Sequence, residues 1–257
     1  MITAIGTREL TDFDGIPVEL VRKRVKYISV TVYPPDGRVR VAAPPRASLQ
    51  DIRGFVAARK AWIERQRDRA RSLPAPVKLE YVSGEGHTFL GRVYRLNVIE
   101  TGAHGTARAA KRGTAAVTLH EEEAVMDLTV AAGLTRAERQ KTLEAWYRAE
   151  LIRLIPPRLA RWEDLVGAAT HTWGVKRMKT KWGTCNTRAR RIWLALELAK
   201  KPLHLIDYIL AHELTHLLEA SHNARFKSLM DRVMPDWRDH RRELQLRTGP
   251  LRPEGGI

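Results

Sequence analysis

Five residues constrain this chain more than any others: His212-Glu213-Leu214-Thr215-His216, set in an apolar run, with His222 following. Two histidines four apart lie on one face of an α-helix, about one turn from each other. Their imidazoles can close on a single zinc ion, with Glu213 beside the water that such an ion activates. H-E-x-x-H alone arises by chance in roughly one chain of this kind in fifty, so the flanking residues must support the reading. They do. Leu203, Ile206, Leu210, Leu214 and Leu217 recur at three- and four-residue steps, the period of an amphipathic helix. Pro202 suits a first helical turn, where its missing N–H costs little. The spacing predicts a helix from Pro202 to about Ala220.

A catalytic zinc needs a third protein ligand and one open position. Glu219 lies seven residues after His212, about 10.5 Å along a helix axis, too far for bonds near 2 Å. His222 falls just past the expected helix end, where Ser221 and Asn223 can turn the chain back. His212, His216 and His222 are therefore the expected metal ligands, one zinc per chain, and Glu213 the expected catalytic base. The H-E-x-x-H-x5-H spacing equals that of the metzincins, but Glu219 occupies the position of their glycine, which argues against that group.

The segments around this helix carry a resemblance. Lys181-Trp182-Gly183-Thr184-Cys185, the run Tyr208 to Glu219, His222-Asn223-Ala224-Arg225-Phe226 and Met234-Pro235-Asp236-Trp237 resemble the YgjP-like metallopeptidases. They are also similar to SprT-like zinc proteases in the order H-E-x-x-H…H-x-x-x-F. Gly37–Val41, Ala61-Trp62-Ile63, Gly84–His87 and Leu90–Leu96 extend the likeness over most of residues 15–245. Thr184 is a small departure, since serine is commoner there. The resemblance implies a zinc-dependent hydrolase. Some members of the family are associated with a nucleotide (UTP-type) pyrophosphohydrolase activity, which stands as the second reading.

The expected fold class is α+β. A zincin-like catalytic domain, with a sheet packed on the H-E-x-x-H helix, is expected over 113–247. An N-terminal β-rich region with one long helix is expected over 1–112, and a flexible tail over 248–257. Val18–Val25, Tyr27–Tyr33 and Arg38–Ala43 alternate and read as an antiparallel meander turning at Pro34–Gly37. Ser48 is a plausible N-cap for a helix reaching about Ser72. Strands follow at Phe89–Ile99 and Ala115–Leu119, with 102–113 as a hairpin loop and 120–132 as helix. Thr135 and Glu138 stand in capping-box spacing ahead of a helix that Pro156-Pro157 interrupts. Strands near His171–Met178, Lys181–Cys185 and Arg191–Leu198 lead into the metal helix. Trp182–Cys185 is one expected wall of a cleft, with Gly183 admitting a substrate backbone; Trp182 filling the core near the helix is the equal alternative. Asp207, Asp231 and Asp236 are candidates to orient a histidine. Tyr208, Arg238 and Arg241 are candidates to stabilise an oxyanion. Met230 and Met234 suit core packing or the floor of the site.

Composition narrows the partners. The 257 residues carry 45 Lys and Arg against 29 Asp and Glu, a formal charge of +16. Such a balance favours an anionic partner, and a protease held on DNA or RNA is one expectation; an ordinary solvated basic surface is the other. A third functional reading is a basic nucleic-acid-binding module with structural zinc, but Glu213 has no role in such a site. Peptide or protein is the expected substrate. No apolar run is long enough to span a membrane, the first residues lack a secretory pattern, and a cytoplasmic location is the default expectation. The single Cys185 excludes an internal disulfide; it is a packed residue, a reactive thiol or a fourth ligand, and packing is the commonest state.

Overall fold

The computed structural model describes residues 8–72, 78–101, 115–178 and 181–247, without the side chains of 245–247. The hairpin loop expected at 102–113, the boundary at 112/113 and the 248–257 tail lie outside the described residues. The protein is a mixed α+β structure with eleven strands and six α-helices among those residues. It divides into two compact units, Met1–Val77 with Gln245–Ile257, and Lys78–Leu244. No described helix is long and apolar enough to cross a membrane.

The first unit holds β1 (Arg8–Phe13), β2 (Ile16–Arg22), β3 (Ser29–Tyr33), β4 (Arg38–Ala43), α1 (Leu49–Ala57) and α2 (Lys60–Ser72). Its sheet order is β1-β2-β4-β3. The three expected strands form, but not as a meander. β4 inserts between β2 and β3 and runs parallel to β2. Alternation specifies which face of each strand is buried and leaves open which strand lies beside it. The β1–β2 hairpin turns at Asp14-Gly15, both at positive φ, a two-residue signal of the kind that favours such turns. Ser48 caps α1 in a capping box with Asp51. The single helix expected to Ser72 is two, separated at Ala58-Arg59. Ile52, Val56, Ile63 and Ala70 all face one core with Val18, Leu20, Val39 and Val41. The apolar period therefore continues across the turn.

The second unit carries two sheets. One orders β5 (Gly86–Phe89), β6 (Arg92–Thr101), β8 (Val125–Ala131) and β7 (Ala116–His120) as β5-β6-β8-β7. The helix expected over 120–132 is instead β8: Met126, Leu128 and Val130 are buried at every second position, a strand period. The other sheet orders β9 (Thr172–Lys176), β10 (Gly183–Asn186) and β11 (Arg191–Ala195) as β10-β11-β9, so β10 is an edge. A 3₁₀ turn, Leu196–Lys200, leads from β11 to α4 (Leu203–Thr215). Helices α5 (Ala224–Val233) and α6 (Trp237–Arg247) follow.

Helix α3 (Arg136–Val166) opens on the expected capping box of Thr135 and Glu138 and ends on Gly167 in the left-handed conformation. Pro156 and Pro157 do not interrupt it. They deprive the carbonyls of Ile152 and Arg153 of their helical donors. All four residues are exposed, so water can satisfy those carbonyls. The buried stripe Leu143, Tyr147, Leu151, Ile155, Leu159 and Trp162 continues on the opposite face and carries the helix through. That helix packs on α4.

Candidate metal centre

Helix α4 is buried nearly all round: from Leu205 to Thr215 every residue but Asp207 is shielded from solvent. This places His212 and Glu213, at 2% exposure each, within apolar packing. The α-helix closes at His216, earlier than the expected end near Ala220. Turns then bond Leu217 N to Leu214 O and Glu219 N to Thr215 O. The Glu219 carboxylate accepts from Ser221 N at 3.1 Å and from Ser221 Oγ at 2.9 Å. Asn223 caps α5 by accepting from Phe226 N. The chain thereby reverses, and His222 comes back over the helix.

The three histidines converge. One ligand nitrogen from each of His212, His216 and His222 lies within 4.8 Å of the others, the only such grouping among the described residues. His212 Nε2 and His222 Nε2 are 3.0 Å apart. Two nitrogens bound to one tetrahedral zinc are separated by about 3.3 Å, so this donor set fits a divalent cation. The Glu219 carbonyl accepts from His216 Nδ1 at 3.1 Å, which leaves His216 Nε2 with a lone pair for a metal. Phe226 stands 4.7–5.0 Å, ring centre to ring centre, from all three imidazoles. Its position was legible only as the F of H-x-x-x-F; its packing role was not.

Electrostatics favour neutral imidazoles, the form that binds metal. Burial pushes the His212 pKa well below its ordinary value, helped by the charges of His216, His222 and Arg241. Burial also lowers His216. His222 falls to about 4 through burial, then His216, Arg241 and Lys181. Burial raises Glu213 to about 8, against the opposing charge of Lys181. Lys181 and Arg241 are thus the cations that act on the site.

The other expected roles are redistributed. None of the three candidate aspartates meets a site histidine: Asp207 accepts from Arg158 and Trp162, Asp231 from Trp237 and Arg238, and Asp236 pairs with His240. A backbone carbonyl, Glu219 O, takes the orienting role at His216. Arg238 is bound to Asp231. Tyr208 is buried beside His212, rings 5.8 Å apart, and its hydroxyl lacks a partner among the described residues. Met230 is fully buried beneath α4 and takes a contact from Thr215 Oγ1 at 3.2 Å. Cys185 is half-buried and outside the histidine grouping; burial and the nearby Glu213 push its thiol up to about 11, so it is not a thiolate at neutral pH. Trp182 is half-buried with Lys201 over its ring.

A convergent histidine set beside a buried glutamate is an arrangement suited to metal-assisted hydrolysis. Comparison with known proteins makes the assignment at the level of family. The YgjP-like metallopeptidase domain matches residues 26–247. The chain belongs to the YgjP-like family, and its class is metal-dependent peptidase. No curated protein matches the chain. Among solved structures, the metallopeptidase zymogen of Pyrococcus abyssi abylysin is similar at 18% identity, covering 36% of this chain and 92% of that one, with a TM-score of 0.34.

Proposed function

We propose that the protein is a zinc peptidase in which His212, His216 and His222 hold the metal and Glu213 is the catalytic base. The observation that carries this reading is the convergence of three imidazoles next to a buried carboxylate that has no hydrogen-bond partner among the described residues. A bound zinc would polarise the scissile carbonyl and acidify a water in its open position. Glu213 takes a proton from the attacking water and delivers it to the leaving nitrogen. A group that takes and then returns a proton needs a pKa nearer neutrality than an ordinary carboxylate, and burial moves Glu213 in that direction. The edge strand β10 beside α4 supports a substrate that adds to the sheet through backbone hydrogen bonds, and the α4–β10 pairing supports the zincin-like reading. Arg241 and Tyr208 are the remaining candidates for charge stabilisation at the carbonyl oxygen.

The test is hydrolysis of casein and of nucleoside triphosphates by the full-length protein, with and without zinc, beside Glu213→Gln. Zinc-dependent casein cleavage that disappears in Glu213→Gln is the expected result. Triphosphate turnover without casein turnover would replace the peptidase reading with the pyrophosphohydrolase one.

A further inference from the structure

We propose that Gly183 is the positioning residue for Glu213: the missing side chain on β10 makes the slot that holds the catalytic carboxylate. This rests on the reading of Glu213 as the base.

A strand carries glycine for a left-handed backbone, for a bulge, or for a close approach by another group. The first two do not apply. Gly183 is absent from the positive-φ glycines, and β10 pairs with β11 in unbroken register from Gly183↔Leu194 to Asn186↔Arg191. The third applies directly. A β-carbon on Gly183 would stand 2.5 Å from Glu213 Oε1, 2.7 Å from Cγ and 2.8 Å from Cδ. Three atoms of one side chain collide, including the Cγ near its root, so rotation of the carboxylate alone does not relieve the contact. Neither backbone can retreat freely. Gly183 is fixed by its ladder to Leu194, and Ala195 N bonds Trp182 O at 2.8 Å. Glu213 sits in the last turn of α4, where every residue from Tyr208 to Thr215 is buried.

The alternation of β10 agrees. Positions 183 and 185 share a face, and Cys185 is the other β10 residue on which the Glu213 charge acts. In W-G-x-C the two small residues face the acid. The glycine expected to admit a substrate backbone instead admits the enzyme's own carboxylate. Gly174, in the same sheet, shows the ordinary version of this device: its β-carbon would meet the Trp193 ring at 2.5 Å, a packing contact with no reacting group.

The experiment uses full-length Gly183→Ala, Glu213→Gln, Glu213→Ala and the double variant Gly183→Ala/Glu213→Ala. Metal content, kcat, KM and Tm are read for each. Gly183→Ala is expected to keep one metal per chain and a KM within about twofold, while kcat falls about 100-fold, the scale of an ångström-level misplacement. Its Tm is expected to drop by several degrees in the wild-type background and by much less with Glu213→Ala, where the colliding atoms are gone. Folding of the double variant where Gly183→Ala alone fails would support the proposal equally. An undiminished kcat in Gly183→Ala, an equal Tm loss in both backgrounds, or failure of both to fold would overturn it. Full activity in Glu213→Gln would instead remove the base, and the Tm coupling would still report separately on the contact.

Discussion

Glu19 and Glu213 are both buried carboxylates, at 7% and 2% exposure, in different units of one chain. Glu19, on β2, accepts two hydrogen bonds from Arg40 at 3.0 and 3.2 Å, with Arg8 and Arg38 within 4 Å. Its charge is neutralised on the spot, and it ties β2 to its neighbour β4. Glu213 has only the charge of Lys181 opposing its burial, and its pKa rises to about 8. A buried acid surrounded by guanidinium groups has its charge paired in place and serves structure. One left short of countercharge can exchange a proton near neutral pH and serves chemistry.

The comparison can be broken by substitution. Glu213→Gln should lower kcat/KM by about 10³-fold, within the range for removing a general base, while metal content stays at the wild-type level. Glu219→Ala should weaken zinc affinity about tenfold, measured by competition with a chromogenic chelator. It loosens the Ser221 turn that returns His222 but removes no ligand; complete loss of zinc would make Glu219 a ligand after all. Glu19→Gln should leave kcat and KM unchanged and lower stability by about 1–3 kcal/mol in a urea titration. A kinetic defect in folded Glu19→Gln would erase the distinction between the two acids.

The smallest effect is on pH dependence. Between 6.5, the ordinary histidine value, and about 4, His222 binds a proton in the unfolded chain but not in the folded one. His212 and His216 act in the same direction. Metal-free protein should therefore lose stability as pH falls from 6.5 toward 4 and show no such histidine contribution above that window. The urea midpoint at pH 7 and pH 5 checks this, and His222→Gln should shrink the difference. An unchanged midpoint in the wild type would contradict it.

What the sequence revealed was mostly local. The Thr135–Glu138 capping box and the Ser48 cap depend on residues close along the chain, and each is found as read; His212, His216 and His222, equally close along the chain, converge. Relations between distant segments were hidden. Alternation in β2, β3 and β4 says which residues are buried but not that β4 lies between the other two. Pro156-Pro157 reads as a break because a sequence does not show that both face water, opposite the buried stripe that carries α3 through. The 120–132 stretch carried its strand period only over 125–131, after a turn at Ala124 with positive φ. Within the site, the histidines were legible, whereas Phe226 against their rings, Glu219 O on His216 and Gly183 under Glu213 arise only once the elements pack.

The most direct test of the account is the metal content of purified full-length protein, measured by mass spectrometry beside His222→Ala and Glu213→Gln. About one zinc per chain, lost in His222→Ala and retained in Glu213→Gln, is the predicted result. A wild-type protein that holds no zinc after loading, or a His222→Ala variant that holds it as tightly as the wild type, would contradict the three-histidine centre.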